Sequence, residues 1–125
     1  MKAVVFVFAT LLLVSLNALA IDIKPYDAAT FERLRQSGQP VALHFHADWC
    51  PACRAQERVF KSWQGDASVP GTLLVVDYDK ARELRRELGV RSQSTIILYK
   101  GGKEATRVGG MTDAEDLRAV FKGEW

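Results

Sequence analysis

Between Val41 and Trp63 the apolar residues change their period, and the change falls at Cys50-Pro51-Ala52-Cys53. Val41, Leu43 and Phe45 alternate, as on one face of a buried strand, whereas Val59, Phe60 and Trp63 recur at helical spacing. A strand must hand over to a helix within a few residues. Pro51 suits the first turn of that helix, where its missing N–H would have no partner anyway. The cysteines, the only two in the chain, sit at this handover, within one helical turn of each other. A pair so close can cycle between dithiol and disulfide. It is too local to staple a fold, because closing so short a loop removes little unfolded-chain entropy. The cysteines are therefore chemical rather than architectural.

The ends of the chain bound the rest. Lys2 and a nearly all-apolar stretch from residue 3 to 16, followed by Ala18-Leu19-Ala20, read as a cleavable export leader over residues 1–20. The alternative is an N-terminal membrane anchor, weakened by Thr10, Ser15 and Asn17. Ile21 stands where a lipoprotein would need a cysteine. Residues 21–125 then form one compact domain in an extracytoplasmic or periplasmic compartment, where a C-x-x-C rests oxidised unless something reduces it. Losing Lys2 takes the net charge from +2 to about +1. So even a balance argues against nucleic acid as a partner, and Arg82, Arg85 and Arg86 beside Glu83 and Glu87 read as a solvated helix face.

The remaining elements follow from caps and turns. Asp27 caps a first helix carrying Phe31 and Leu34, stopped by Gly38. Leu73 to Val76 is a second buried strand. Residues 80–88 form a short helix with Leu84 and Leu88, closed by Gly89. Thr95–Tyr99 and Glu104–Val108 form a hairpin turned at Gly101-Gly102. Thr112 and Glu115 make a capping box for a last helix with Leu117, Val120 and Phe121. The order helix, strand, helix, strand, helix, strand, strand, helix is an α/β arrangement, a mixed sheet with helices on both faces.

With Ala47-Asp48-Trp49-Cys50-Pro51-Ala52-Cys53 between strand and helix, and the segment from Gly89 through the hairpin to Gly110 behind it, the chain resembles the thioredoxin superfamily over essentially residues 21–125. Ala47-Asp48-Trp49-Cys50 with Ala52-Cys53, and the later Gly110-Met111-Thr112-Asp113-Ala114-Glu115, are similar to the soluble C-terminal domain of periplasmic transmembrane disulfide reductases. The resemblance implies a thioredoxin-like fold and exchange of thiols and disulfides with protein substrates. It implies a reductase fed by a membrane electron donor, with no organic cofactor, acting as a monomer. Clients could include apocytochromes, misoxidised proteins or a metallochaperone. The Pro-Ala dipeptide does not set the direction of electron flow, since members with other dipeptides act as reductants, isomerases or oxidants.

Cys50 is the expected nucleophile, its thiolate facing unpaired backbone N–H groups and the positive end of the helix dipole. Cys53, one turn further in and more shielded, is expected to resolve the mixed disulfide. Pro51 stiffens the helix start, and Trp49 forms part of an apolar docking surface. Two residues depart from the family pattern. His44 stands where thioredoxins carry a buried aspartate, and reads either as a base for Cys53 that titrates near neutrality or as a core histidine with one hydrogen bond. Ser94 stands where the family has a cis-proline; without proline a cis bond costs about 2.5–4 kcal/mol, so the sequence leaves the Gln93–Ser94 bond open between cis and trans, and Gln93 and Ser94 line an altered substrate groove. These departures also support an alternative, binding or delivery of copper or zinc by Cys50 and Cys53 with His44 and His46.

Overall fold

A computed structural model describes residues 20–125, so the leader, apart from Ala20, and the anchor alternative lie outside the described residues. The strands are β1 (Asp22–Pro25), β2 (Val41–His46), β3 (Thr72–Asp77), β4 (Thr95–Lys100) and β5 (Lys103–Gly109). The helices are α1 (Ala28–Gln36), α2 (Pro51–Ser62), α3 (Arg82–Leu88) and α4 (Ala114–Glu124). One mixed sheet runs in the order β1-β3-β2-β4-β5. β1 and β2 are parallel to β3, while β4 runs antiparallel to both β2 and β5.

β2 lies at the centre and sends side chains into both layers. Val41, Leu43 and Phe45 pack with Phe31, Leu34 and Leu74 on the face that α1 covers. Ala42 joins Phe60, Trp63, Leu73, Leu117 and Phe121 on the face covered by α2 and α4. The rings of Phe60, Trp63 and Phe121 pack pairwise at centroid separations of 5.3, 5.5 and 5.1 Å, tilted or edge-on, as their quadrupoles favour. The strand and helix faces read from apolar spacing are those buried here.

Three features differ from the sequence reading. β1 was not expected, because Asp-Ile-Lys-Pro has no apolar alternation; backbone pairing of Asp22–Pro25 with Thr72–Val75 holds it. The cap of α4 is Asp113 rather than Thr112: the Asp113 carboxylate accepts from the amides of Glu115 and Asp116, both at 3.0 Å. A carboxylate one residue closer to those N–H groups displaces the hydroxyl. Arg85 is not merely solvated, since its guanidinium lies 4.0 Å from the centroid of the Tyr78 ring.

Two details shape the end of the sheet that carries the cysteines. The β2–β4 ladder stops at His44–Ile96, while β2 continues along β3 to His46–Asp77. The Phe45 carbonyl is thereby free of the β4 ladder. At the opposite end Gly101 and Gly102, with φ of 59° and 81°, close the β4–β5 hairpin in the left-handed conformation that a two-residue turn demands.

Phe60 is the hinge of the aromatic cluster, touching Trp63, Phe121 and His44. Phe60→Ala is expected to lower the unfolding free energy by about 3–5 kcal/mol, read as a lower denaturation midpoint at unchanged m-value.

Candidate active site

Cys50 occupies the N-cap of α2, with Pro51 as the first helical residue. Its Sγ accepts the Cys53 backbone N–H at 3.1 Å, doing for this helix what an oxygen does at an ordinary cap. An anion on that sulfur meets a hydrogen-bond donor and the helix dipole together. Both cysteines carry free thiols, and both are buried: Cys50 is 2% exposed and Cys53 0%. The expected contrast in shielding is thus small in area and appears instead in hydrogen bonding.

The Cys53 thiol donates to the Phe45 carbonyl at 3.7 Å, the carbonyl left over where β2 outruns β4. Burial pushes the Cys53 thiol up to about 11, and its contact with the Cys50 sulfur adds to this; the backbone amides of Ala47 and Ser94 work in the opposite direction. The inner sulfur therefore holds its proton at neutral pH, while the outer one accepts a backbone hydrogen bond.

The loop before β4 faces this pair. The Gln93–Ser94 peptide is trans, and Ser94 adopts a left-handed conformation with φ of 61°. Its N–H donates to the same Phe45 carbonyl at 2.9 Å, and its own carbonyl accepts the Gly110 N–H at 3.1 Å. Gln93 is half-buried beside it. Trp49 is 58% exposed, and its indole N–H donates to Asp79 at 2.8 Å. A groove of about 430 Å³ runs alongside, lined by Trp49, Asp48, His46, Asp77 and Asp79 among others. Asp79 escaped the sequence reading because nothing local marks it; only the fold brings the β3–α3 turn to Trp49.

His44 is 1% exposed, and its Nε2 lies 2.8 Å from Gln56 Oε1. Burial is the main cause that lowers its pKa to about 4; the Gln56 hydrogen bond opposes the shift and the neighbouring His46 adds to it. The expectation that His44 titrates near neutrality is corrected accordingly. Its hydrogen bond runs to Gln56, and the Cys53 thiol turns to Phe45 instead. Gln56 was missed altogether, although its spacing between Cys53 and Phe60 puts it on the buried stripe of α2, where an amide is a signal.

His46 lies with its ring 5.5 Å from His44, its nitrogens 3.7 Å from Asp48 and 3.5 Å from Glu57. Among the described residues no three His, Cys, Asp or Glu side chains gather so as to hold a metal ion. The His44–His46–Cys50–Cys53 set is thus not assembled, because the imidazoles turn to Gln56, Asp48 and Glu57 while Cys53 turns to the backbone of β2.

This geometry agrees with what the chain is similar to. A family model described as thioredoxin matches residues 22–123. The chain belongs to the thioredoxin family. Among its relatives, thioredoxin of Mycoplasmoides gallisepticum is 29% identical over 96 residues, covering 77% of this chain and 95% of that one. Probable thioredoxin-2 of Caenorhabditis elegans is 32% identical over 106 residues, covering 81% and 69% respectively. The crystal structure of Trxlp from Edwardsiella tarda superposes with a TM-score of 0.76 at 32% identity, covering 80% of this chain and 98% of that one. As a thioredoxin-family member the chain is a thiol–disulfide oxidoreductase acting on protein thiols and disulfides, and Cys50 and Cys53 are its adjacent sulfur pair.

Two predictions follow from this end of the molecule. The folded pKa of His44 lies below its unfolded value of 6.5, so its contribution is complete above that value and is lost as pH falls toward 4. Urea unfolding should show about 2 kcal/mol of this loss between pH 7 and pH 5, absent from His44→Gln. Ser94→Gly relieves the left-handed backbone and should raise the unfolding free energy by up to about 1 kcal/mol; a loss of stability would mean the serine side chain is what holds this turn.

Proposed function

We propose that this thioredoxin-family chain is an exported protein-disulfide reductase in which Cys50 attacks and Cys53 resolves. The observation that carries the reading is the asymmetry of the pair: a backbone donor on the Cys50 sulfur at a helix N-terminus, against a proton held on buried Cys53.

In the first step the Cys50 thiolate bonds to one sulfur of a substrate disulfide. The substrate S–S bond breaks, and the departing thiolate takes a proton from water. In the second, Cys53 gives its proton to water and its sulfur bonds to Cys50 Sγ. The Cys50–substrate bond breaks, and the second product thiol leaves protonated. The substrate has gained two electrons and the cysteine pair has lost them. The pair must then be returned to the dithiol by a further dithiol donor. Similarity of the Trp49–Cys53 and Gly110–Glu115 segments to the soluble domain of transmembrane disulfide reductases supports a membrane carrier in that role. The leader-like residues 1–20 support export. Exposed Trp49, held by Asp79, offers an apolar plate beside Cys50 for the substrate, with Gln93 and Ser94 across the pair.

The equilibrium potential of the Cys50–Cys53 couple tests the direction. A value near the thioredoxin figure of about −270 mV is the expected result, and one near about −120 mV, typical of a strong oxidant, would reverse the electron flow. Cys50→Ser should abolish exchange, whereas Cys53→Ser should accumulate mixed disulfides with clients in an extract of the exporting cell. If Cys53→Ser accumulates none, the assigned order of attack is wrong.

A further inference from the structure

Gln56 is 0% exposed, and every polar position of its amide is used. Its Nε2 group donates to the Ser94 carbonyl at 3.0 Å and to the Met111 carbonyl at 2.9 Å. Its Oε1 faces His44 Nε2 at 2.8 Å. With both amide protons directed to carbonyls, the oxygen can only accept, so His44 Nε2 must carry a proton. One side chain of α2 thus joins β2, the loop before β4 and the loop before α4, the two loops that are themselves tied by the Gly110–Ser94 hydrogen bond.

The link to the sulfurs runs through Ser94. A serine at φ of 61° occupies a conformation disfavoured by about 1–2 kcal/mol, and it stays there only if its surroundings hold it. Its N–H is held by the Phe45 carbonyl and its carbonyl by Gln56 and Gly110. The Phe45 carbonyl is also the acceptor of the Cys53 thiol. We propose that Gln56 is a positioning residue for the resolving step: by fixing the Ser94 peptide it sets the shared Phe45 carbonyl that orients the Cys53 thiol until its proton passes to water and its sulfur bonds to Cys50. His44, filled at Nε2 by the same amide, offers no base through that nitrogen. In this arrangement the Cys53 thiol is held by the backbone of β2 and not by His44 Nε2.

This inference rests on the exchange reading, and the experiment separates the two. Single-turnover kinetics with a disulfide-linked fluorescent peptide resolve formation of the Cys50 mixed disulfide from its release by Cys53. Wild-type protein that forms no mixed disulfide would sink the exchange reading itself. Given exchange, Gln56→Glu keeps the shape but, having at most one proton to donate, leaves at least one of the Ser94 and Met111 carbonyls without a donor. The expected result is mixed-disulfide formation within about threefold of wild type and release slowed about tenfold or more, with a shifted pH profile for release. Leu117→Ala, a destabilising change in the core, should alter neither step. Equal slowing of both steps in Gln56→Glu, or no slowing of release, would overturn the positioning role. Should Gln56→Glu fail to fold, nitrogen-15 NMR of wild-type His44 still decides: a proton on Nε2 is expected, and the Nδ1–H tautomer would refute the network.

Discussion

The β2–β4 ladder ends at His44–Ile96, one residue short of Phe45, while β2 carries on beside β3. A central strand normally has its carbonyls consumed on both sides. Here one carbonyl is released at the point where α2 begins, and two donors of different kinds converge on it: the amide of Ser94 and the thiol of Cys53. The position of Ser94 and the orientation of the Cys53 thiol both refer back to this single acceptor.

Around that acceptor the interior is polar but neutral. His44 and Gln56 form a buried pair in which each hydrogen-bonding group used has a partner, the condition under which a polar network can sit in a core without destabilising it. A buried carboxylate in place of His44 would bring a charge that burial resists and would change ionisation when a neighbouring thiol does. An imidazole that stays uncharged from neutral pH down to about 4 avoids that coupling. The buried His44–Gln56 pair thus adds no change of charge beside the sulfurs from neutral pH down to about 4.

Much of this was legible in the sequence. The change of period at Cys50 placed the strand-to-helix junction, and the apolar spacing of Val41–Phe45 and Val59–Trp63 assigned the two faces. The Gly101-Gly102 pair fixed the hairpin. What escaped did so for identifiable reasons. β1 owes its existence chiefly to backbone pairing, with a single side chain, Ile23, turned to the core, too little for an apolar pattern to reveal. Asp113 and Thr112 are both good caps, and only the backbone geometry chooses between them. His44 could be placed in the core from its strand, but its ionisation depends on Gln56, Phe60 and the depth of burial, none of which is local in sequence. Trp49 could be put near the sulfurs, while its anchor Asp79 comes from the far side of β3.

The margins of the sheet carry their own consequence. β1 presents Asp22, Lys24 and Pro25, the last without an N–H to offer, and β5 is mostly exposed, carries Lys103, Glu104 and Arg107 and slips register where Leu98–Tyr99 meet it. Charges, proline and a bulge are the devices by which natural sheets discourage strand addition. An enzyme that exchanges thiols and disulfides with other proteins meets extended chain segments, each a ready partner for an open margin. With both flanks of the sheet so blunted, such segments are steered away from lateral pairing, so that contact at the sulfur-bearing end does not compete with strand addition at the margins.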